Sequence, residues 1–191
     1  MNFPQRKTLR YKSFNYSQSG WYYVTICIHN RKNLLGTMEH PDMILNEQGK
    51  MIEKWWINIK VRFTDVSLDE YIIMPNHIHG IIIISNSHNV GDDQRVVPNS
   101  KKNIEIVGEH IGSPLRSQQS LFHVIQWFKT MTTNEYIKNV KEHNWPRFDK
   151  HLWQRSYYDH ILRNEQDYNR IAEYIKNNPR NWSEDELNNE E

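Results

Sequence analysis

The chain of 191 residues contains a single cysteine, Cys27. It can close no internal disulfide, and no Cys-x-x-Cys pair is present to hold zinc, so a disulfide scaffold and a thiolate zinc site are excluded and a reducing cytoplasm is the expected setting. Any metal must then be bound by nitrogen and oxygen. No run of about 18 apolar residues is available to span a bilayer. The opening MNFPQRKTLRYKSF is basic but lacks the apolar part of a secretion signal, so no membrane partner is expected. Acid is also missing from the start: none precedes Glu39, whereas Arg6, Lys7, Arg10 and Lys12 are all there. The last eight residues, EDELNNEE, reverse this with five acids and no base. The formal net charge of +1 therefore conceals a basic body and an acidic tail. Such a body suits a polyanion, although solvated surface is the commoner role of any one cluster. Seven tryptophans and ten tyrosines add candidates for base stacking, most of which a domain of this size needs for its core.

The pattern along the chain is α+β. GWYYVTICIHN alternates and is rich in β-branched and aromatic residues, which predicts a strand over 21–28. Leu45, Ile52, Trp55, Trp56 and Ile59 recur near helical spacing and predict a first helix. Pro75 cannot donate to a sheet ladder, so it separates two strands, 69–74 and 77–84. Residues 85–118 show no sustained period and read as a long insertion. Leu121, Val124, Ile125, Phe128 and Met131 mark a second helix, HLWQRSYYDHIL a short strand, and NEQDYNRIAEYIKNNPRNW a third helix capped by Asn164 and stopped by Pro179. The order β-α-β-β-α-β plus a helix is the ferredoxin-like split βαβ arrangement: a four-stranded, mostly antiparallel sheet with helices on one face and the other face free for a ligand. One domain over 1–183 followed by an acidic tail over 184–191 is expected.

Two clusters carry chemistry. In YIIMPNHIHGIIII, His77 and His79 share one face of a strand, so both rings can reach one point. A hydrogen-bonded histidine pair and a metal site both fit this spacing. In the last helix, Tyr168, Ile171, Ala172 and Ile175 form the apolar stripe, while Tyr174 falls outside it with Asn178 one turn further on. Tyr174 is thus either an edge tyrosine or one that offers its phenol to a ligand.

MPNHIHGII, the FK pair in the second helix and LWQRSYYDHILRNEQDYNRIAEYIKNNP together resemble the REP-associated tyrosine transposases, a branch of the single-tyrosine HUH transposases, over residues 13 to 182. The resemblance implies an enzyme that cleaves and rejoins DNA beside hairpins through a 5′-phosphotyrosine. By that resemblance His77 and His79 hold a divalent ion, Mg2+ or Mn2+, Tyr174 is the nucleophile, and Asn178 supplies a third, oxygen ligand where several relatives have the longer glutamine. It also implies single-stranded or hairpin DNA as partner. Since relatives occur as monomers and as dimers, a homodimer stays open. Basic candidates for DNA contact are Arg6, Lys7, Arg10, Lys12, Lys129, Arg147, Lys150 and Arg155, with Trp153 or Tyr157 to stack. His151 and His160 read as structural hydrogen-bonding groups near the site. Two rival functions use the same residues differently: a hairpin-binding protein without turnover, and a metal-dependent phosphodiesterase that activates water.

Overall fold

In the computed structural model, which describes residues 19–85 and 120–188, a sheet is formed by β1 (Gly20–Cys27), β4 (Val66–Ile73), β5 (His77–Ile84) and β6 (Tyr158–Leu162). The strand order is β4-β5-β1-β6 and every neighbouring pair is antiparallel. Helices α1 (Glu47–Arg62) and α2 (Leu121–Glu142) make the two crossovers, and α3 (Glu165–Asn177) follows β6. This is the split βαβ fold that the element order predicts. Arg6, Lys7, Arg10 and Lys12, together with the expected insertion beyond Ser85, lie outside the described residues. Among the described residues no helix is long and apolar enough to cross a membrane.

Strand alternation divides the molecule into two layers. Tyr22, Val24 and Ile26 of β1 and Ile78, Ile82 and Ile84 of β5 join the main core with Trp56 of α1 and Val124, Ile125 and Phe128 of α2. Their chain neighbours Tyr23, Thr25, His77, His79 and Ile81 take the opposite face. There Ile171, Ala172 and Ile175 of α3 pack on Tyr23, Ile81 and Leu162 in a smaller cluster. Burying each isoleucine contributes roughly 1.5–3 kcal/mol, enough to seat the helix. The second face is therefore not free: α3 covers one part, and the segment after α3, through Trp182 and Leu187, covers the part at His77.

Three features depart from the pattern in the sequence. A small hairpin of β2 (Gly36–Glu39) and β3 (Asp42–Leu45) precedes α1, and its four-residue strands are too short to show alternation. β4 carries a bulge, since Leu68 pairs with Ile82 and Tyr71 with Gly80. The extra residue shifts the alternation, so Leu68 and Tyr71 both reach the main core while Asp69 and Glu70 both reach α3, accepting from Tyr168 Oη at 2.9 Å and Lys176 Nζ at 2.9 Å. The third concerns the end of the chain: past a 3-10 segment over Asn178–Glu184, residues up to 188 fold back over the sheet rather than leaving as a tail.

Gly80 is set by close approach. A Cβ there would lie 2.3 Å from Cζ2 of Trp56, whose side chain is fully buried and has nowhere to move. Gly80→Ala should destabilise the protein by about 1–3 kcal/mol as an overpacked core. A lowered urea midpoint checks this, and an unchanged midpoint would show that the indole can give way.

Candidate metal and nucleophile site

The β1–β5 register places Thr25 opposite His79 and Cys27 opposite His77. Both histidines are almost wholly buried, at 0% and 2% exposure, and their Nε2 atoms lie 3.0 Å apart. Each ring is held from behind. Asn76 donates through Nδ2 to the carbonyls of Arg31 and Leu187, so its Oδ1 faces His77 Nδ1 at 2.8 Å and accepts from it. His77 Nε2 then carries a lone pair, which faces His79 Nε2. Tyr23 Oη and Thr25 Oγ1 lie 2.7 and 2.9 Å from His79 Nδ1, and Thr25 donates to Tyr23. Hydroxyls both donate and accept, so this pair serves His79 in either tautomer.

Electrostatics keep both rings neutral. Burial pushes His77 down to about 3, with the Arg31 charge adding to it. Burial likewise holds His79 well below the usual range, and neighbouring His77 lowers it further. Neutral imidazole is the form that binds metal.

Tyr174 reaches this pair from α3. It is 42% exposed, and its hydroxyl stands 3.5 Å from His79 Nε2. Partial burial raises its pKa, and the Asp185 carboxylate adds to the effect. Asn178, one turn on, is buried at 1% exposure; Nδ2 donates to Asp185 Oδ2 at 3.0 Å, while Oδ1 is buried with no hydrogen-bond partner. Asp185 comes from the segment read as acidic tail, and its carboxylate and the two imidazoles bring their ligand atoms within 4.8 Å of one another. Convergent neutral nitrogens, an orphaned amide oxygen and a carboxylate form a donor set that fits a divalent ion. The surrounding cleft, about 690 Å³, is lined by Tyr23, His79, Tyr158, Tyr174, Asn178 and Asp185 among others.

The DNA-contact candidates separate. Trp153 is 5% exposed, packs against Phe128 and donates its indole N–H to Thr132, so it is a core ring and not a stacking platform. Lys129 donates to the carbonyls of Gln154 and Ser156 and sits over the Tyr157 ring, shaping the cleft wall that Tyr157 lines. Arg147, Lys150 and Arg155 are exposed. His160 pairs with Asp167 at 2.9 Å, a structural bond, and His151 meets His29 edge to face. Sequence reasoning missed Tyr23, Thr25 and Asp185. Strand alternation holds a signal for the first two, whereas nothing in EDELNNEE distinguishes Asp185 from its neighbours.

Residues 102–178 match the family described as IS200-like transposases. An uncharacterised protein of Haemophilus influenzae is 36% identical over 183 residues, covering 95% of this chain and 92% of its own length. The fold is similar to that of a REP-associated tyrosine transposase solved bound to a REP hairpin, with a TM-score of 0.54 at 17% identity over 89% of this chain and 73% of that one.

Because the unfolded chain protonates histidine near pH 6.5 and folded His77 only near 3, its burial favours folding fully above about 6.5. That contribution falls away as the pH drops toward 3. Urea midpoints of the metal-free protein should decline from pH 7 to 4, and less steeply for His77→Gln. Equal slopes would contradict the neutral, buried state.

Proposed function

This chain belongs to the IS200-like transposase family, and from that premise we propose that it cleaves and rejoins single-stranded DNA beside hairpins through a 5′-phosphotyrosine intermediate on Tyr174. The observation that carries the reading is the Tyr174 hydroxyl 3.5 Å from His79 Nε2, on a helix whose apolar stripe is already used in packing. A purely structural tyrosine has no reason to stand at the open side of α3 facing a buried histidine pair.

His77 and His79, with Asn178 Oδ1, would hold Mg2+ or Mn2+. When bound, such an ion polarises the scissile phosphate and offsets charge gathering on its non-bridging oxygens. The remaining work falls to the chain. Tyr174 attacks phosphorus in line, the bond from phosphorus to the 3′ oxygen breaks, and the phenol's proton is balanced by the one that the departing 3′ oxygen takes up. The resting phenol is protonated, since burial and Asp185 both raise its pKa, so the proton must leave as attack proceeds. The phosphotyrosine ester conserves the energy of the broken bond. A 3′-hydroxyl can therefore reverse the step and join strands without ATP.

The cleft suits a flexible strand because Tyr158 and Tyr174, which line it, are both exposed. Tyr158, 51% exposed and edge-on to Tyr23 at 6.2 Å, offers a base the stacking surface that Trp153 does not, while Arg147, Lys150 and Arg155 are free to meet phosphates. Tyr174 and both histidines come from one chain, which supports cleavage in cis without a second copy.

Wild-type protein incubated with Mn2+ and end-labelled hairpin oligonucleotides from DNA flanking its gene should form a protein–DNA adduct that survives denaturing gels. Tyr174→Phe should form none. Cleavage that persists in Tyr174→Phe would point instead to a phosphodiesterase using water, and binding without cleavage to a hairpin-binding protein. In the same assay a mixture of Tyr174→Phe and His77→Ala proteins should stay inactive. Restored activity would overturn the cis arrangement.

A further inference from the structure

The segment after α3 brings a carboxylate to the histidine pair from a part of the chain that the family match, ending at residue 178, does not reach. We infer that Asp185 is a ligand of the same divalent ion, so that metal binding ties residues 184–188 to the sheet. This rests on the reading that His77 and His79 hold such an ion.

Three observations carry it. The first is spacing. Donors around a hard divalent ion with bonds of about 2.1 Å lie about 3 Å apart when adjacent and about 4.2 Å apart when opposite. The imidazoles already stand 3.0 Å apart, and the carboxylate falls within 4.8 Å of both, so a small side-chain shift completes the set. The second is charge. Two neutral imidazoles and a neutral amide leave a doubly charged ion uncompensated in a buried place, which is costly. Among the described residues, Asp185 is the acid grouped with the pair at ligand distance. The third is aim. Asn178 Nδ2 donates to Asp185 Oδ2 at 3.0 Å and the Leu187 amide to Oδ1 at 2.7 Å, while Asn76 Nδ2 holds the Leu187 carbonyl at 2.8 Å and Arg31 the Glu186 carbonyl at 2.8 Å. The carboxylate is thus presented by a braced segment. Capping Leu187 alone would be served as well by asparagine, and it gives no reason for a negative charge facing the histidines. A ligand set of two imidazoles and a carboxylate also favours Mn2+ over Mg2+, which prefers oxygen throughout.

The test reads binding and order rather than turnover. Mn2+ is titrated into the full chain without DNA and free Mn2+ is followed by its electron paramagnetic resonance signal. Asp185→Asn should weaken binding about tenfold or more, whereas Glu184→Gln and Glu186→Gln, which remove neighbouring charges in the same cleft, should change it by less than about threefold. In parallel, Mn2+ should slow hydrogen exchange at the Leu187 and Asn188 amides of the wild type, a readout that needs no variant. Asparagine keeps the oxygen that caps Leu187, so the turn is retained, and it gives up the bond accepted from Asn178 Nδ2. If wild type binds Mn2+, His77→Ala does not, and Asp185→Asn binds as tightly as wild type, the inference fails while the histidine site stands. If wild type binds no Mn2+ at all, the reading beneath it fails too.

Discussion

The antiparallel pairing of β1 with β5 is the constraint on which the site depends. Its register sets Thr25 across from His79 and Cys27 across from His77, with Val24 opposite Gly80 on the other face. A slip of one residue would turn both imidazoles into the main core and Ile78 toward the cleft, because side chains alternate with a period of two. Trp56 guards against that slip. Its indole occupies the space where a side chain at position 80 would stand, so only the register that puts glycine beneath it packs. The bulky core on one face thereby specifies the polar arrangement on the other.

Burial then decides what the histidines can be. Both lie deep enough to be held neutral across the physiological range, and each has its Nδ1 satisfied by a neighbour from a different position: Asn76 for one, Tyr23 and Thr25 for the other. The hydrogen bonds orient the rings and leave the Nε2 atoms converging. A pair arranged only for stability would have little use for that convergence, since one bond between them could be replaced by apolar contact at small cost. The same low-dielectric setting raises Tyr174 and places it under the influence of Asp185. The resting site is therefore neutral at its centre and acidic at its edge, the electrostatic complement of a cation.

What could be read from the sequence follows from which interactions are local. The histidine face, the apolar stripe of α3 and its Asn164 cap depend on strand and helix periods and on a contact three residues long, the Asp167 amide donating to Asn164 Oδ1 at 2.8 Å. Those were legible. The bulge in β4 was not, because Ser67 to Tyr71 mixes polar and apolar residues in a way that either alternation could fit, and the choice is made by α3 from about a hundred residues away. Trp153 was misjudged because aromatic rings beside basic residues look alike whether they face a strand of DNA or Phe128. Asp185 was hidden in a run of acids. The turn after Trp182, whose carbonyl accepts from the Asp185 amide, separates it from the exposed Glu184 and Glu186.

The placement of α3 shows how a reactive group can be exposed and still positioned. Tyr174 is half exposed and meets Tyr23 and His79 ring edge to ring, so its location depends on how the rest of the helix is seated. Ile171, Ala172 and Ile175 fix the depth of the helix over the sheet, whereas Asp69 and Glu70 fix its run along β4 by meeting Tyr168 near one end and Lys176 near the other. The Lys176–Glu70 pair is largely solvated and worth little in stability, on the order of 0–1 kcal/mol. Its value is directional. With the bulge turning both acids to the same side, two widely spaced contacts resist rotation of α3 about its axis, and rotation is the motion that would carry the Tyr174 hydroxyl away from the histidines.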